Sequence, residues 1–189
     1  ADRGRYDAAT VHAILDEGLV AHVGFQAEHG PMVLPMAYGR IDDRLYLHGA
    51  TGNAMLRALD GAPVCVTVTL LDGLVLSRSA FHHSMNYRSV VVFGSAVTVT
   101  DSAECDAALR AVVDHMVVGR SGECRPPTPE ELRATRVVRV ALTEASAKVR
   151  TGPPKEDPID LDPPAWWGGV VPVTVVRGEP QPDEFVARA

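Results

Sequence analysis

The segment Phe81–Gly94 concentrates the polar chemistry of the chain. His82, His83, Ser84, Asn86, Tyr87, Arg88 and Ser89 stand directly before the apolar run Val90–Val92. Branched side chains pack well on a pleated surface, so Val90–Val92 reads as a buried strand. A strand that opens on so many donors is suited to hold an anionic or polar ligand at its mouth. Any one of these residues could simply cap a strand at the surface. Seven together beside a core strand point to a binding site.

Other common chemistries find no support. There is no Gly-x-Gly-x-x-Gly, Gly-x-x-x-x-Gly-Lys or Gly-x-Ser-x-Gly, which removes the usual nucleotide loops and the hydrolase elbow. Cys65, Cys105 and Cys124 are odd in number, far apart and in no metal-ligand spacing. Cys65 lies in the strand-like Val64–Val68 and reads as a small buried hydrophobe. Cysteines of this kind suit a reduced, cytoplasmic protein. Glu130-Glu131 reads as helix capping, and Lys148 with Arg150 as one solvated strand face. No catalytic residue is singled out, and no metal ligand.

The elements that must position the polar cluster follow from turns and caps. Asp7–Glu17 reads as a helix capped by Asp7 and closed by Gly18. Leu19–Phe25 reads as a strand before a His29-Gly30 turn. Met32–Tyr38 and Arg44–His48 form an expected hairpin about Asp42-Asp43, and Pro63–Leu71 with Leu74–Ser79 a second one across Asp72-Gly73. Gly52–Asp60 is a short helix between them. Tyr87–Thr100 is a long strand with Gly94 at a bulge or close approach. Asp101 starts a helix to about Val118, with Glu104 at the capping-box position, and Thr128-Pro129-Glu130-Glu131 opens another. Val137–Val149 and Val170–Val176 are further strands, and the proline-rich Gly152–Pro164 an extended wrap between them.

Strands joined mostly by hairpins, with helices inserted rather than alternating, predict a mainly β, closed or nearly closed antiparallel barrel. The 189 residues suit a single domain over 1–178 with a loose tail at 179–189. Hydrophobic residues make up 46% and charged residues 22%, as in a water-soluble globule. A net charge of −6 argues against nucleic-acid binding. No apolar run approaches the ~20 residues of a membrane helix, and Ala1–Tyr6 lacks the apolar core of a signal peptide.

Set in order, several pieces resemble the flavin-nucleotide-binding branch of the pyridoxamine 5′-phosphate oxidase superfamily, which includes nitroimidazole reductase-like proteins. They are Val33-Leu34-Pro35-Met36-Ala37-Tyr38, Leu45-Tyr46-Leu47-His48-Gly49-Ala50, Asp72–Phe81, His83–Val90, Glu131–Thr135, Ala147–Pro153 and Trp166–Pro172. Each is weakly specific; their joint order spans nearly the whole chain. The resemblance implies a six-stranded antiparallel split β-barrel that forms a homodimer, with FMN at the subunit interface. Pro35, Met36, Ala37 and Tyr38 would then meet the ring edge. His48, Gly49, Ala50, Thr51 and Asn53 would offer backbone N–H groups to the phosphate at a helix start. Ser84, Asn86, Tyr87, Arg88, Ser89 and Val90 complete the implied site, and Trp166 would cover the ring or pack the barrel mouth.

Two departures stand out. Trp166-Trp167-Gly168-Gly169 is followed by Val170-Val171-Pro172 rather than an Arg-x-His pair, which argues against vitamin B6 synthesis. Relatives often carry Lys or Arg where this chain has Asn53, with Arg57 one turn later. The expected function is an FMN-dependent oxidoreductase passing electrons from reduced nicotinamide to a small planar acceptor, a nitroaromatic or quinone. The alternatives are a non-catalytic flavin or haem carrier or sensor, and a deazaflavin (F420) reductase. His48, His82 and His83 could serve haem or zinc. The blander reading gives His48 to the flavin site and leaves His82 and His83 as hydrogen-bonding loop residues.

Overall fold

The structure, a computed structural model, describes residues 3–162 and 166–185. Its elements in chain order are β1 (Gly4–Arg5), α1 (Ala8–Glu17), β2 (Ala21–Ala27), β3 (Gly30–Met36), β4 (Tyr38–Ile41), β5 (Arg44–Ala50) and α2 (Ala54–Leu59). There follow β6 (Pro63–Leu76), β7 (Ser84–Ser95), β8 (Val97–Thr98), α3 (Ser102–Met116) and α4 (Pro129–Ala134). The last are β9 (Thr135–Ala141), β10 (Glu144–Arg150) and β11 (Gly169–Pro172). The pairings β1–β10, β10–β7, β11–β6, β2–β3, β2–β6, β4–β5, β5–β9 and β8–β9 are antiparallel. The chain is mainly β with inserted helices, as the turn pattern predicts. It divides into two compact units, residues 1–70 with 87–151, and residues 71–86 with 152–189.

The first unit holds the core. Its strands run β1-β10-β7-β6-β2-β3 in one sheet and β4-β5-β9-β8 in another. Strict alternation places Ala21, Val23 and Phe25 of β2, and Val64, Val66 and Val68 of β6, on the buried face. Leu45, Leu47, Val90, Val92, Val138 and Val140 join them, with Leu15 from α1. Each Val, Leu or Phe among these stabilises the fold by about 1.5–3 kcal/mol through burial.

The helix caps follow the local sequence signals. The Asp7 side chain accepts from Thr10 N at 2.8 Å, and that of Asp101 from Glu104 N at 2.7 Å. Thr128 and Glu131 form a reciprocal capping box on α4. The Glu104 side chain does not turn back to its cap. It accepts from Tyr46 Oη at 2.8 Å and from Arg139 Nη1 at 2.5 Å.

Four strand expectations need correction. Tyr87–Thr100 is divided into β7 and β8, and Val137–Val149 into β9 and β10, the two members of each pair lying in different sheets. Met32–Tyr38 is not one strand: β3 pairs with β2, β4 pairs with β5, and Ala37 is the crossing point between the two sheets. Beyond it Tyr38 is fully buried and hydrogen-bonds Leu15 O and Gly18 O, which anchors the chain to the end of α1. Nor is Asp72-Gly73 a turn. β6 runs straight through it, because β11 lies alongside from Gly73 to Leu76 and Val173 N donates to Asp72 O at 3.1 Å. A Cβ on Gly73 would stand 3.0 Å from Val170 Cγ1 and 3.1 Å from Val171 O. This glycine serves close strand approach instead of reversal.

In the second unit the extended wrap is tied down by Glu156. Its carboxylate accepts from Ser77 Oγ at 2.7 Å, and from Arg78 N at 3.2 Å and Nη1 at 3.1 Å. The expected C-terminal tail ends in residues 186–189, which lie outside the described residues.

Candidate functional site

α3 is brought to β4 by one glycine. A Cβ on Gly39 would stand 2.7 Å from Val112 N and 2.8 Å from the carbonyl carbon of Ala111, so helix backbone rests directly on strand backbone. One face of α3 packs there through Ala108 and Val112. Residues at the same helical spacing, Leu109, Val113 and Met116, look instead into a cleft of about 570 Å3. The opposite walls are His48 at the end of β5, the loop through Cys124, Pro126 and Pro127, and the junction of α4 with β9. The volume is that of a cofactor site.

The loop wall is firmly held. Gly119 takes a left-handed φ of 81°, and Asp114 accepts from Ser121 N at 2.7 Å and Oγ at 2.8 Å. The Ser121 backbone bond, first among the causes, lowers the Asp114 carboxyl below its ordinary value. Arg125 forks onto Glu131 at 2.7 and 3.0 Å. That bond, with Thr128 N, lowers the Glu131 carboxyl to about 2.

His48 is half-buried, and its Nδ1 is sealed from solvent with no hydrogen-bond partner. An orphaned buried ring nitrogen is unusual. Burial lowers the imidazole pKa, favouring the neutral form, which is the form that ligates a metal. A cofactor iron in the cleft would be held through Nε2, since the sealed Nδ1 is out of its reach.

The other expected site residues are distributed as follows. Pro35 and Met36 lie on β3 opposite His22 and Ala21, and Ala37 at the sheet crossing. β3 ends its sheet, so one row of its backbone groups is unpaired among the described residues. Tyr38 is core, and burial raises its phenol pKa, keeping it a neutral donor. Gly49 and Ala50 pair with Arg136 and Thr135.

The N–H groups expected to cradle a phosphate have local partners. Thr51 N donates to Ala134 O at 2.8 Å and Asn53 N to Ala50 O at 2.9 Å. Met55 N donates to the Asn53 side chain at 2.9 Å, so Asn53 acts as the cap of α2. Tyr87, Arg88, Ser89 and Val90 sit on β7 opposite Arg150, Val149, Lys148 and Ala147. Arg88 forks onto Glu17, one arm at 2.8 Å, and the Val90 side chain is core. In the second unit Asn86 Nδ2 donates to Gly152 O at 3.1 Å, Ser84 begins β7, and Trp166 is exposed. There too His82 bonds Asp157 at 2.9 Å and His83 bonds Ser79 O at 3.1 Å, as hydrogen-bonding loop residues do.

Sequence reasoning missed the α3 face and the 121–127 loop. The available signal was the apolar i, i+3, i+4, i+7 stripe Leu109, Val112, Val113 and Met116, which by itself reads as core. Among the described residues no helix is long and apolar enough to cross a membrane.

Residues 7–149 match the pyridoxamine 5′-phosphate oxidase family. No curated protein matches the chain. Among solved structures, the flavocytochrome Anf3 from Azotobacter vinelandii is 41% identical with a TM-score of 0.90, over 96% of this chain and 84% of that one. The FAD and heme binding protein from Mycobacterium smegmatis is 35% identical with a TM-score of 0.91, over 96% and 89%. A Bacteroides thetaiotaomicron protein assigned to 5-nitroimidazole antibiotic resistance is 25% identical with a TM-score of 0.63, over 77% and 86%. The antiparallel framework is the split barrel of these structures, and the chain belongs to the pyridoxamine 5′-phosphate oxidase family.

Proposed function

We propose that this chain is a redox flavoprotein that also binds haem, with the haem in the His48 cleft. One observation carries the haem reading: a half-buried imidazole, held toward its neutral form by burial, stands in the wall of an apolar cleft of about 570 Å3. Neutral imidazole is the common protein ligand of haem iron. Leu109, Val113 and Met116 supply the apolar wall that a flat macrocycle needs. The names of the two most similar solved structures given above, one a flavocytochrome and one a FAD and heme binding protein, support the same pairing.

Flavin binding rests on the family and on those neighbours. The open edge of β3, with Met32 and Val33 exposed beside unpaired backbone groups, suits a ring that is apolar on its faces and polar on its rim. FAD, named for the mycobacterial neighbour, is the preferred flavin over FMN. The flavin and haem would supply two- and one-electron chemistry. The chain's own part is to hold them, exclude water and keep His48 unprotonated. Reduced nicotinamide as donor, a small planar acceptor and a homodimer that completes the flavin site belong to the same proposal.

The test is the absorption spectrum of purified protein, after reconstitution where needed, with the released flavin identified by chromatography. A Soret band together with flavin bands is expected. His48→Ala is expected to abolish the Soret band while the flavin bands and the circular dichroism persist. Flavin bands with no haem uptake by wild type would remove haem from the proposal. Anaerobic NADH that leaves the loaded protein oxidised would make it a carrier.

A further inference from the structure

Two arginines stand on the walls of the His48 cleft, and they are committed differently. Arg125 gives Nη1 and Nη2 to Glu131, and Nη1 also to Pro126 O at 2.7 Å. Its fork is spent closing the loop onto α4. Arg110, on α3, gives only Nε to Asp106 Oδ2 at 2.8 Å, one helical turn back. Its Nη1 and Nη2 have no hydrogen-bond partner among the described residues. Both side chains of this pair are near half-exposed, at 50% and 42%. An i, i+4 pair in that setting is the weakest kind of ion pair and re-partners at little cost.

We propose that Arg110 anchors a carboxylate of the ligand that fills the cleft. Its planar fork fits two carboxylate oxygens side by side, which a lysine could not do. The stripe Leu109, Val113 and Met116 takes the flat body of the same ligand while His48 faces it from β5. The inference rests on the haem reading above, and the carboxylates meant are the haem propionates. Asp106 has two opposed effects. It orients Arg110, and its own negative charge repels the incoming carboxylate.

The experiment measures the dissociation constants of ferric haem and of its dimethyl ester, whose propionates carry no charge, by Soret titration. Wild type, Arg110→Gln and Asp106→Asn are compared, with circular dichroism as the check on folding. Arg110→Gln is expected to weaken haem binding about tenfold, the loss of a charge-assisted hydrogen bond. Asp106→Asn is expected to tighten it about two- to threefold. The ester should bind wild type and Arg110→Gln alike. Equal haem affinity in wild type and Arg110→Gln, or the same loss for haem and ester, overturns the role of Arg110 while the haem reading stands. Wild type that takes up neither compound overturns the haem reading, and the role of Arg110 with it.

Discussion

Gly39→Ala tests whether the position of α3, and with it the cleft, depends on one backbone contact. The new Cβ would lie 2.7 Å from Val112 N, 2.8 Å from the Ala111 carbonyl carbon and 3.1 Å from Ala111 O. All three are helix backbone, so no rotamer change relieves the clash. Reaching even a tight contact of 3.4 Å needs a shift of 3.4 − 2.7 = 0.7 Å between α3 and β4. Overpacking of this kind costs about 1–3 kcal/mol. For a chain of this length that is roughly 2–12 °C in Tm. Urea unfolding is the assay, and the midpoint should fall with the slope unchanged. Because Leu109, Val113 and Met116 ride on α3, haem uptake should weaken in the same variant. A Gly39→Ala protein with the wild-type midpoint would mean that the fold absorbs the contact and that α3 does not depend on it.

Arg88→Ala should weaken flavin binding by about 1.5 kcal/mol, the low end for a bond to a charged group, because Arg88 must first leave Glu17. An unchanged flavin titration would assign Arg88 to that ion pair alone. Glu131, held at about 2 against an ordinary 4.5, adds stability that is present above pH 4.5 and lost as pH falls toward 2. Glu131→Gln should therefore lose stability less steeply through that window than wild type. The Arg125–Glu131 pair is largely exposed, so the difference should shrink in high salt; parallel acid limbs at low salt would count against it.

The parts of the fold that were legible in the sequence are those decided within a few residues. Asp7, Asp101 and Thr128 cap their helices as expected because a cap bonds a backbone N–H three positions away. The alternation of β2 and β6 marks their buried face for the same local reason. His48 and the 82–89 cluster were visible as polar residues beside strands. Their partners, Glu17 for Arg88 and Gly152 for Asn86, lie 71 and 66 positions away and left no local trace.

Short-range signals in the amino-acid sequence were enough for the antiparallel class, the capped helices and the family resemblance. Tertiary structure decided what the ambiguous glycines do. Asp72-Gly73 has the composition of a turn, but β11, about a hundred residues on, lies against it and keeps β6 straight. Gly39 carries no signal of its own until α3 rests on it. The cleft was hidden for a related reason. A stripe such as Leu109, Val113 and Met116 has the same spacing whether it packs into a core or faces an opening. Only the placement of β5 and of the loop after α3 leaves space in front of that stripe, with His48 across it.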